Sequence, residues 1–585
     1  MNENRNLVLS ILLSIVILVG FEFYSSWRYP VTSPQGEQTV SADPSIQKPS
    51  QNALPRPSRS PKGTPTAPSV GNISAARAIL KDRQTLLREN PRVQIQSPSL
   101  SGSLSLLGGR IDDLTLTQYY EELDKTSPAI VLLSPSGSSN AYFADYGWIG
   151  EGITLPDENT LWTASSKSLS PDKPVTLKWD NGQGLIFKRT YTIDEKYMFN
   201  IRQSVENKSS SPVTLHPYAL VSRHEMPEVT GFYILHEGLL GVFDETLQEV
   251  DYTDMQDNNT VANDTTGGWL GITDKYWLVA LIPDQKTPIN TRFTYRNDSG
   301  HEKFQADFMG SPLTISAGSS GEVNSHLFTG AKEVKVLDSY ETKLGISRFD
   351  LAIDFGWFYF LTKPIFYTLI FINEHVGNFG VAILLLTVLI KIIFFPLANK
   401  SYASMSKMKK LQPEMMKLRE RFGEDKMQLN KEMMALYKRE KANPASGCLP
   451  MLVQIPVFFA LYKVLFVTIE MRHAPFFGWI QDLSAPDPTN FFNLFGLIPW
   501  NPETYLPDPL LIGVWPLAMG ITMFLQQKLN PQPTDPMQAK IFMFLPIMFT
   551  FLLARFPAGL VIYWAWNNLL SIIQQKIIMI KMGVK

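Results

Sequence analysis

Residues Asn378–Lys400 read NFGVAILLLTVLIKIIFFPLANK, and this stretch decides how the rest of the chain can fold. Its apolar part, Phe379–Phe395, is long enough to cross most of the hydrocarbon of a bilayer as a helix. Lys391 interrupts the run, and Thr387 lies one helical turn before it on the same face. An ammonium at this depth costs about 2.5–3.5 kcal/mol, so we expect Lys391 to face water or polar groups. The alternative is that its aliphatic stem carries the charge up to the headgroups.

Composition sets outer bounds on the class of protein. With 585 residues the chain is too long for one domain, and its hydrophobic content of 44% averages a polar first part and an apolar second part. The net charge of −1 argues against a general nucleic-acid-binding protein. A single cysteine, Cys448, excludes an intramolecular disulfide and a multi-cysteine metal site.

The N-terminal segment is typical of an uncleaved signal anchor. Residues Leu7–Val19 are apolar, aromatic residues follow them, and no small-residue cleavage site comes next. We therefore predict a transmembrane anchor at 1–28 with its N-terminus inside; a cleaved signal sequence is the alternative. Residues 29–75 are rich in Pro and Ser and poor in large apolar side chains, which predicts a disordered linker.

Residues 76–340 have the pattern of a large β-sandwich domain. Short segments of alternating polarity, such as Leu185–Ile193, Met198–Val205 and Val213–Val221, are separated by turn-forming residues. The histidines lack metal-binding spacing; they are His216, His224, His236, His301 and His326. The local sequence singles out no carboxylate either, so we predict a binding or spacer domain without catalysis and without a cofactor.

The next segment, 345–376, mixes aromatic side chains with Asp350, Asp354 and Lys363, and Pro364 interrupts it. This mixture predicts an amphipathic segment on the outer face of the membrane. The alternative is a further transmembrane helix. That would place the basic segment 401–445 outside, against the positive-inside rule.

Residues 401–445 predict a cytoplasmic helical hairpin. Lys and Arg clearly outnumber Asp and Glu here, as is typical of a cytoplasmic loop. Apolar residues recur at three- and four-residue steps, Gly423 can end the first helix, and Asp425 can cap the second. Because methionine adapts to varied apolar partners, we predict partner contacts on this hairpin at Met405, Met408, Met415 and Met427. The alternative is that these methionines only hold the two helices together.

Four more apolar segments complete a predicted core of five transmembrane helices at 377–585. They are 449–469, 509–527, 540–556 and 558–578, after the first helix at 378–400. With the N-terminal anchor the predicted count is six, which places both termini in the cytoplasm.

These segments carry polar residues at helical spacing. The last one has a polar face formed by Trp564, Asn568, Ser571 and Gln575, with Tyr563 and Asn567 beside it. Polar side chains at bilayer depth usually face a protein interior or a wet cavity. We therefore predict a hydrophilic groove whose substrate-contacting residues are Thr387, Lys391, Gln454, Tyr563, Trp564, Asn568 and Ser571. Hydrogen bonding between helices is the alternative explanation.

Several motifs, ordered along the chain, resemble the YidC/Oxa/Alb insertase family in its Gram-negative form. They are Gly108–Leu114 (GGRIDDL), Asp274–Pro283 (DKYWLVALIP), Leu411–Pro413 (LQP), Met433–Lys438 (MMALYK), Asn443–Pro456 (NPASGCLPMLVQIP), Ala474–Pro475 with Trp479–Ser484 (WIQDLS), Asp535–Gln538 (DPMQ) and Phe556–Gln575 (FPAGLVIYWAWNNLLSIIQQ). The resemblance extends over essentially the full length of the chain.

The resemblance implies a polytopic α-helical protein of the bacterial inner membrane with a large periplasmic β-sandwich domain. It implies an insertase and chaperone rather than an enzyme, with a five-helix core around a hydrophilic groove that opens to the cytoplasm and to lipid. The implied partners are nascent membrane proteins, the Sec translocon (SecYEG with SecDF), the ribosome and the signal recognition particle receptor, and no cofactor is implied. The family usually has arginine at the position of Lys391 and often has tyrosine at the position of Trp564.

The residues alone leave two other functions open. A secondary transporter would also place a charge at the middle of the membrane, although it usually has repeated halves and interrupted helices. A periplasmic sugar-binding or sugar-modifying membrane protein would need a pair of carboxylates in the β-domain for its chemistry.

Overall fold

The structure is a computed structural model. It describes residues 81–229, 235–298, 300–356, 358–440, 449–498, 500, 502–505, 511–530 and 536–583. The predicted signal anchor at 1–28 and the predicted linker at 29–75 lie outside the described residues, so both stay predictions.

Two large sheets form a β-sandwich between residues 92 and 331. Its strands are β1 Arg92–Gln96, β2 Leu100–Ser105, β3 Ile111–Tyr120, β4 Ala129–Leu133, β5 Tyr142–Ile149, β6 Thr163–Ala164, β7 Ser168–Leu169, β8 Val175–Asp180, β9 Leu185–Ile193, β10 Met198–Asn207, β11 Val213–His224, β12 Gly238–Phe243, β13 Thr246–Asp251, β14 Thr260–Thr266, β15 Trp269–Thr273, β16 Trp277–Ile282, β17 Pro288–Asp298, β18 His301–Gly310, β19 Leu313–Ile315 and β20 Ser320–Ala331. The three segments of alternating polarity named above are confirmed as β9, β10 and β11.

The first sheet has eleven strands in the order β14-β17-β18-β11-β5-β3-β2-β1-β7, with β4 paired to β3 and β19 paired to β11. The second has nine strands in the order β13-β12-β15-β16-β20-β10-β9-β8-β6. Along β9, Phe187, Arg189, Tyr191 and Ile193 are buried, while Lys188, Thr190 and Thr192 are partly exposed. Alternation of this kind turns one face of each sheet into the core of the sandwich.

The GGRIDDL motif links the two sheets through the turn before β3. The carbonyl oxygen of Gly109 accepts hydrogen bonds from Arg189 Nη1 (2.8 Å) and from the Tyr191 hydroxyl (2.9 Å), both on β9. Gly109 has a φ of 70°, and a Cβ there would lie 3.0 Å from Arg189 Nη1. Arg110 Nε pairs with Asp145 Oδ2 at 3.0 Å. The motif therefore stabilises a buried polar contact between the sheets rather than a catalytic site.

Helices occupy the ends of the sandwich and most of the chain after it. They are α1 Arg83–Glu89, α2 Tyr252–Asn258, α3 Val334–Leu344, α4 Tyr359–Val376, α5 Phe379–Ile393, α6 Phe395–Phe422, α7 Lys426–Arg439, α8 Leu449–Val467, α9 Val514–Leu529, α10 Pro536–Leu552 and α11 Ala558–Lys581, with 3₁₀ turns at Phe349–Ala352, Ile469–Met471, Phe491–Gly496 and Pro502–Thr504. Helix α11 packs against α5, α6, α8 and α9, which makes it the central helix of the C-terminal part.

The long predicted helix at 378–400 is bent. Helix α5 ends at Ile393, and α6 starts at Phe395 with an angle of 71° between the two axes. Pro396, in the first turn of α6, lacks an N–H and so cannot continue the hydrogen-bond ladder of α5. Residues 395–400 therefore belong to the hairpin rather than to the first helix of the core.

Among the described residues, no single helix has both the length and the apolar content to cross a membrane alone, while the bent pair α5 and α6 has them jointly.

Helix α4 lies within the predicted amphipathic segment, whose position on the outer face of the membrane stays a prediction. The only ammonium of the helix, on Lys363, is turned toward α3 and contacts Asp338 and Asp350. The exposed side of α4 instead carries Phe360 and Phe371. Burial of the charge became possible because the 3₁₀ turn at Phe349–Ala352 brings Asp350 next to α4.

The predicted hairpin is present as α6 and α7. Leu411, Met415 and Leu436 form its small buried core. Gly423 follows α6, and Asp425 Oδ1 caps α7 by accepting from the N–H groups of Met427 (3.1 Å) and Gln428 (3.0 Å). Both local predictions for this turn are confirmed.

Polar contacts join the sandwich, and the segment that follows it, to the C-terminal end of α8. Arg472 Nη2 donates to the Tyr120 carbonyl oxygen (2.6 Å), and the Val334 N–H donates to Glu470 Oε1 (3.2 Å). Lys463 Nζ contacts Asp354 Oδ2 at 2.5 Å. The sandwich therefore lies at the C-terminal end of α8.

Candidate functional site

A cavity of about 50 Å³ lies between α5, α6, α8 and α11, near the C-terminal end of α5. It is lined by Thr387, Ile390, Lys391, Phe394, Leu397, Ala398, Tyr402, Gln454, Val457, Tyr563 and Asn567. A space of this size can hold a few water molecules where polar groups are present to bind them. We call it the Lys391 cavity.

Lys391 is the charged residue of this cavity. Its Nζ donates to Ser571 Oγ at 2.7 Å, and Ser571 Oγ in turn donates to the Asn567 carbonyl oxygen at 2.8 Å. Among the described residues no carboxylate pairs with this ammonium. The cavity therefore has an uncompensated positive charge that is held in place by a neutral hydroxyl on α11.

Three other predicted groove residues lie in the same cavity with Lys391. Thr387 is buried, and its hydroxyl donates to the Ile383 carbonyl oxygen (2.7 Å). The Thr387 hydroxyl oxygen can therefore only accept a hydrogen bond from a group in the cavity. Gln454 interacts with the hydroxyl of Tyr563, the third predicted residue in this wall. Thr387, Lys391, Gln454 and Tyr563 are thus brought together from α5, α8 and α11.

Trp564 and Asn568 lie on a different side of α11. The Trp564 ring stacks on Phe458 with 4.4 Å between the centroids, and it also packs among α9 and α10. Asn568 Nδ2 contacts Thr522 Oγ1 on α9 at 3.4 Å. The predicted polar face of α11 is therefore divided, because Ser571 points to Lys391 while Asn568 serves the contact between helices that was the alternative explanation.

Two polar residues of the cavity, Asn567 and Tyr402, were not among the predicted groove residues. Asn567 lines the cavity one turn after Tyr563 and one turn before Ser571, so this i, i+4 spacing is the signal that could have identified it. Tyr402, on α6, interacts with Ser571 across the cavity. Its role depends on the bend after Ile393, and the linear pattern of apolar residues does not reveal that geometry.

The four predicted methionine contacts on the hairpin have different environments. Met427 is 80% exposed, whereas Met405 and Met408 are partly buried. Met415 is buried in the hairpin core, where its sulfur contacts the Tyr437 hydroxyl at 3.8 Å. Met415 therefore holds the two helices together, and Met427 is the member of the set best placed to touch a partner.

In the described part of the chain, one cluster of acidic residues is close enough to hold a cation: Asp338, Glu341 and Asp350. The Lys363 ammonium already lies among them, 2.9 Å from Asp338 Oδ1 and 3.0 Å from Asp350 Oδ2. This cluster is an ion-pair network between α3, the 3₁₀ turn and α4.

Comparison with known proteins covers nearly the whole chain. The family model for the YidC periplasmic domain matches residues 92–368, and the model for the 60Kd inner membrane protein matches residues 371–585. The membrane protein insertase YidC of Methylobacterium nodulans is 52% identical over all of this chain and 96% of the relative. The insertase YidC of Beijerinckia indica is also 52% identical, over all of this chain and 97% of the relative.

Solved structures were compared as well. The crystal structure of an active YidC insertase with its first transmembrane domain resolved is 18% identical, covers 83% of this chain and 92% of that chain, and has a TM-score of 0.33. A galactose mutarotase-related enzyme from Lactobacillus acidophilus covers 41% of this chain and 97% of that chain, with 9% identity and a TM-score of 0.29.

The 52% identity to the two relatives extends over all of this chain, and the two family models together match residues 92–368 and 371–585. The chain therefore belongs to the family of YidC membrane protein insertases, inner-membrane proteins with a periplasmic domain that insert other membrane proteins and are not enzymes.

Proposed function

We propose that the chain inserts its substrates through the Lys391 cavity, which forms the end of a hydrophilic groove open to the cytoplasm and to lipid. The observation that carries this proposal is the unpaired ammonium of Lys391, held by Ser571 at 2.7 Å in a cavity between four helices. A half-buried charge without a carboxylate partner among the described residues is costly to maintain, and such charges within a membrane usually serve function.

The position of the cavity along α5 suits this role. Lys391 lies thirteen residues after Asn378, the residue at the sandwich end of α5, which corresponds to roughly 20 Å along a helix. The hydrocarbon core of a bilayer is about 30 Å thick. A substrate's polar segment that reaches Lys391 from the cytoplasm therefore has only part of the apolar barrier left to cross.

The driving forces are physical rather than chemical. Moving a polar segment through hydrocarbon is opposed because its backbone and side chains lose their hydrogen bonds to water. A wet cavity shortens that path, and the Lys391 charge attracts acidic residues of the incoming tail. The apolar segment of the substrate then leaves sideways into lipid, because its nonpolar surface is removed from water.

The topology that fits this proposal has six transmembrane segments and cytoplasmic termini. The N-terminal anchor and α5, α8, α9, α10 and α11 supply the six, while α4 lies at the outer face beside the sandwich. The basic hairpin of α6 and α7 is then cytoplasmic, in agreement with the positive-inside rule.

We also propose that the hairpin receives substrates from the cytoplasm. Its exposed methionines, Met416, Met427 and Met434, stand among basic side chains and can adapt to different apolar segments. By the family resemblance, the partners are the Sec translocon, the ribosome and the signal recognition particle receptor.

Site-specific crosslinking tests the groove. A photo-reactive residue in place of Leu397, which lines the cavity, should crosslink to the polar tail of a ribosome-bound single-span substrate. The matched control is Leu385, an apolar residue on the outward side of α5 that is 44% exposed. It should capture only the apolar segment of the substrate or lipid. Equal capture of the polar tail at both positions contradicts the proposal.

A second crosslinking experiment tests the hairpin. A crosslinker at Met427 should capture ribosome-bound substrates, because this side chain is 80% exposed and free to touch an apolar segment. One at Met415 should capture none, because that side chain is enclosed by Leu411 and Leu436. If Met427 captures no substrate while the Leu397 probe does, the hairpin has a structural role only.

A further inference from the structure

The connection between α8 and α9 has an apolar surface that the groove does not use. From Pro488 to Pro502 the sequence contains no charged residue. In the structure large apolar side chains of this segment, which we call the 488–505 loop, are at least one-third exposed: Phe491, Phe492, Leu494, Phe495, Leu497, Ile498, Trp500 and Tyr505. Leu497 is 84% exposed. So many exposed large apolar side chains in one short segment mark an interaction surface rather than a surface that faces water.

The base of this loop is fixed to the helical core. Asp487 Oδ1 accepts from Trp479 Nε1 (3.1 Å), and Asp487 Oδ2 accepts from the N–H of Trp515 in the first turn of α9 (2.9 Å). The Phe491 N–H donates to the Ile512 carbonyl oxygen at 2.9 Å. The loop is therefore a defined element whose position follows that of α9.

The polar backbone groups of the loop are largely satisfied within the loop itself. Asn490 Oδ1 accepts from the Phe492 N–H (2.9 Å), and Asn493 Oδ1 accepts from the Gly496 N–H (2.9 Å). The Phe495 N–H donates to the Asn490 carbonyl oxygen at 2.7 Å. A segment that leaves water must pair its backbone groups internally, and these asparagines do so while the apolar side chains stay exposed.

The location of the loop identifies what covers it. Phe476 precedes the loop in the same connection between α8 and α9. Its carbonyl oxygen accepts a hydrogen bond from Asn378 Nδ2 at the start of α5 (3.1 Å). The loop thus lies level with the helix ends that adjoin the periplasmic sandwich. Helix α9, which follows the loop, also exposes an apolar side chain, Ile521, to 60%. Trp500 stacks on Tyr505 with 6.2 Å between the centroids, and Trp and Tyr are the residues enriched at membrane interfaces.

We propose that the 488–505 loop inserts into the periplasmic leaflet of the bilayer and anchors the outer ends of α8 and α9 to the lipid. The absence of charge from Pro488 to Pro502 favours lipid over a protein partner, because protein interfaces of similar size usually include charged or polar contacts at the rim. The proposal depends on the membrane location of the family and not on the groove.

Fluorescence quenching in lipid vesicles tests the loop directly. The full-length chain with Cys448→Ser and Leu497→Cys is labelled with an environment-sensitive dye and reconstituted in phosphatidylethanolamine and phosphatidylglycerol vesicles. Two matched positions are labelled separately: Leu161 in the sandwich, 58% exposed, and Ile521 on α9, 60% exposed. Tyr505→Cys provides a second loop position, 74% exposed, in case the first variant does not fold.

The dye at Leu497 should emit at shorter wavelength than the dye at Leu161. A nitroxide near the lipid headgroup should quench the dye at Leu497 more strongly than a nitroxide at the end of the lipid chain. The dye at Ile521, the reference position on α9, should also be quenched by lipid nitroxides. Quenching at both loop positions no greater than at Leu161 overturns the proposal. Protection from water that depends on protein density and not on lipid nitroxide also overturns it, because a second copy then covers the loop.

Discussion

Replacing Lys391 with glutamate is expected to abolish insertion of substrates that have acidic tails. The variant places two like charges in a cavity of low dielectric constant, and at about 4 Å their repulsion reaches about 4 kcal/mol at an effective dielectric constant of 20. An activation barrier raised by that amount slows insertion by more than about two orders of magnitude. The measurement is insertion of one single-span substrate into vesicles, made with an acidic tail and with a neutralised tail.

Lys391→Arg and Lys391→Leu separate attraction from simple polarity. Arginine should be tolerated, since it keeps the positive charge and can be hydrated in the same cavity. Leucine should impair acidic tails more than neutral ones, because it removes both the charge and the water around it. The leucine variant should still fold, because the Ser571 hydroxyl keeps its hydrogen bond to the Asn567 carbonyl oxygen at 2.8 Å.

Lys407→Glu is the matched control for the Lys391 series. Lys407 is exposed on α6, outside the cavity. Its substitution by glutamate changes the net charge by the same amount as Lys391→Glu. It should insert both substrates nearly as well as the parent chain. If Lys391→Leu is equally efficient with both tails, the ammonium only needs solvation at its position, and the attraction of acidic tails is excluded.

Replacing Lys363 with methionine is expected to destabilise the packing of α4 against α3 and the 3₁₀ turn by about 2–4 kcal/mol. The ammonium lies 2.9 Å from Asp338 Oδ1 and 3.0 Å from Asp350 Oδ2, and the Asp350 side chain is only 6% exposed. Its loss leaves the buried Asp350 carboxylate with only Arg348, whose largely exposed side chain brings Nε to 3.8 Å from Asp350 Oδ1. The measurement is the unfolding temperature of the full-length chain in detergent, which should fall by about 5–10 °C.

The effect of Lys363→Met should depend on pH. Burial alone would raise the pKa of Asp350, but hydrogen bonds from Tyr359 and Lys363 outweigh it and hold that pKa below its usual range. A carboxyl with a lowered pKa stabilises the fold above its unfolded pKa of about 4 and loses that contribution as the pH falls through the lower, folded value. The difference between the variant and the parent should therefore be largest near neutral pH and shrink in acid.

Lys335→Met is the matched control for Lys363→Met. Lys335 Nζ pairs with Glu374 Oε1 at 2.6 Å between the same two helices, but both side chains are more than half exposed. Its loss should cost less than about 1 kcal/mol, because water screens exposed ion pairs. Equal shifts of the unfolding temperature in the two variants would mean that burial of the Lys363 ion pairs adds nothing to the stability of the contact between α3 and α4.

The sequence predicted those features that depend on neighbours along the chain. The alternation in Leu185–Ile193 reproduces β9 to the residue, since a strand with one buried face has a period of two. Asp425 caps α7 because a side chain that follows a helix break can reach the next two N–H groups without any tertiary contact.

Features that depend on packing could not be predicted in this way. Asn568 and Ser571 share a helical stripe, yet one contacts α9 and the other contacts Lys391, because two different helices flank α11. The contact between Arg472 and Tyr120 joins residues 352 positions apart, and nothing in either local sequence marks it. Pro396 was visible in the sequence, but the apolar residues on both sides of it favoured one continuous helix.

Because the chain bends at Phe394, a rotation of α6 about this bend moves the cavity residues on its first turns. Helix α6 has 28 residues and is about 42 Å long, and its first two turns supply the cavity residues Leu397, Ala398 and Tyr402. Tyr402 is about a quarter as far from the bend as the tip at Phe422, so a 4 Å displacement of the tip moves Tyr402 by about 1 Å. A partner bound only at the far end of the hairpin can thereby change the spacing between Tyr402 and Ser571 without touching the membrane-embedded helices.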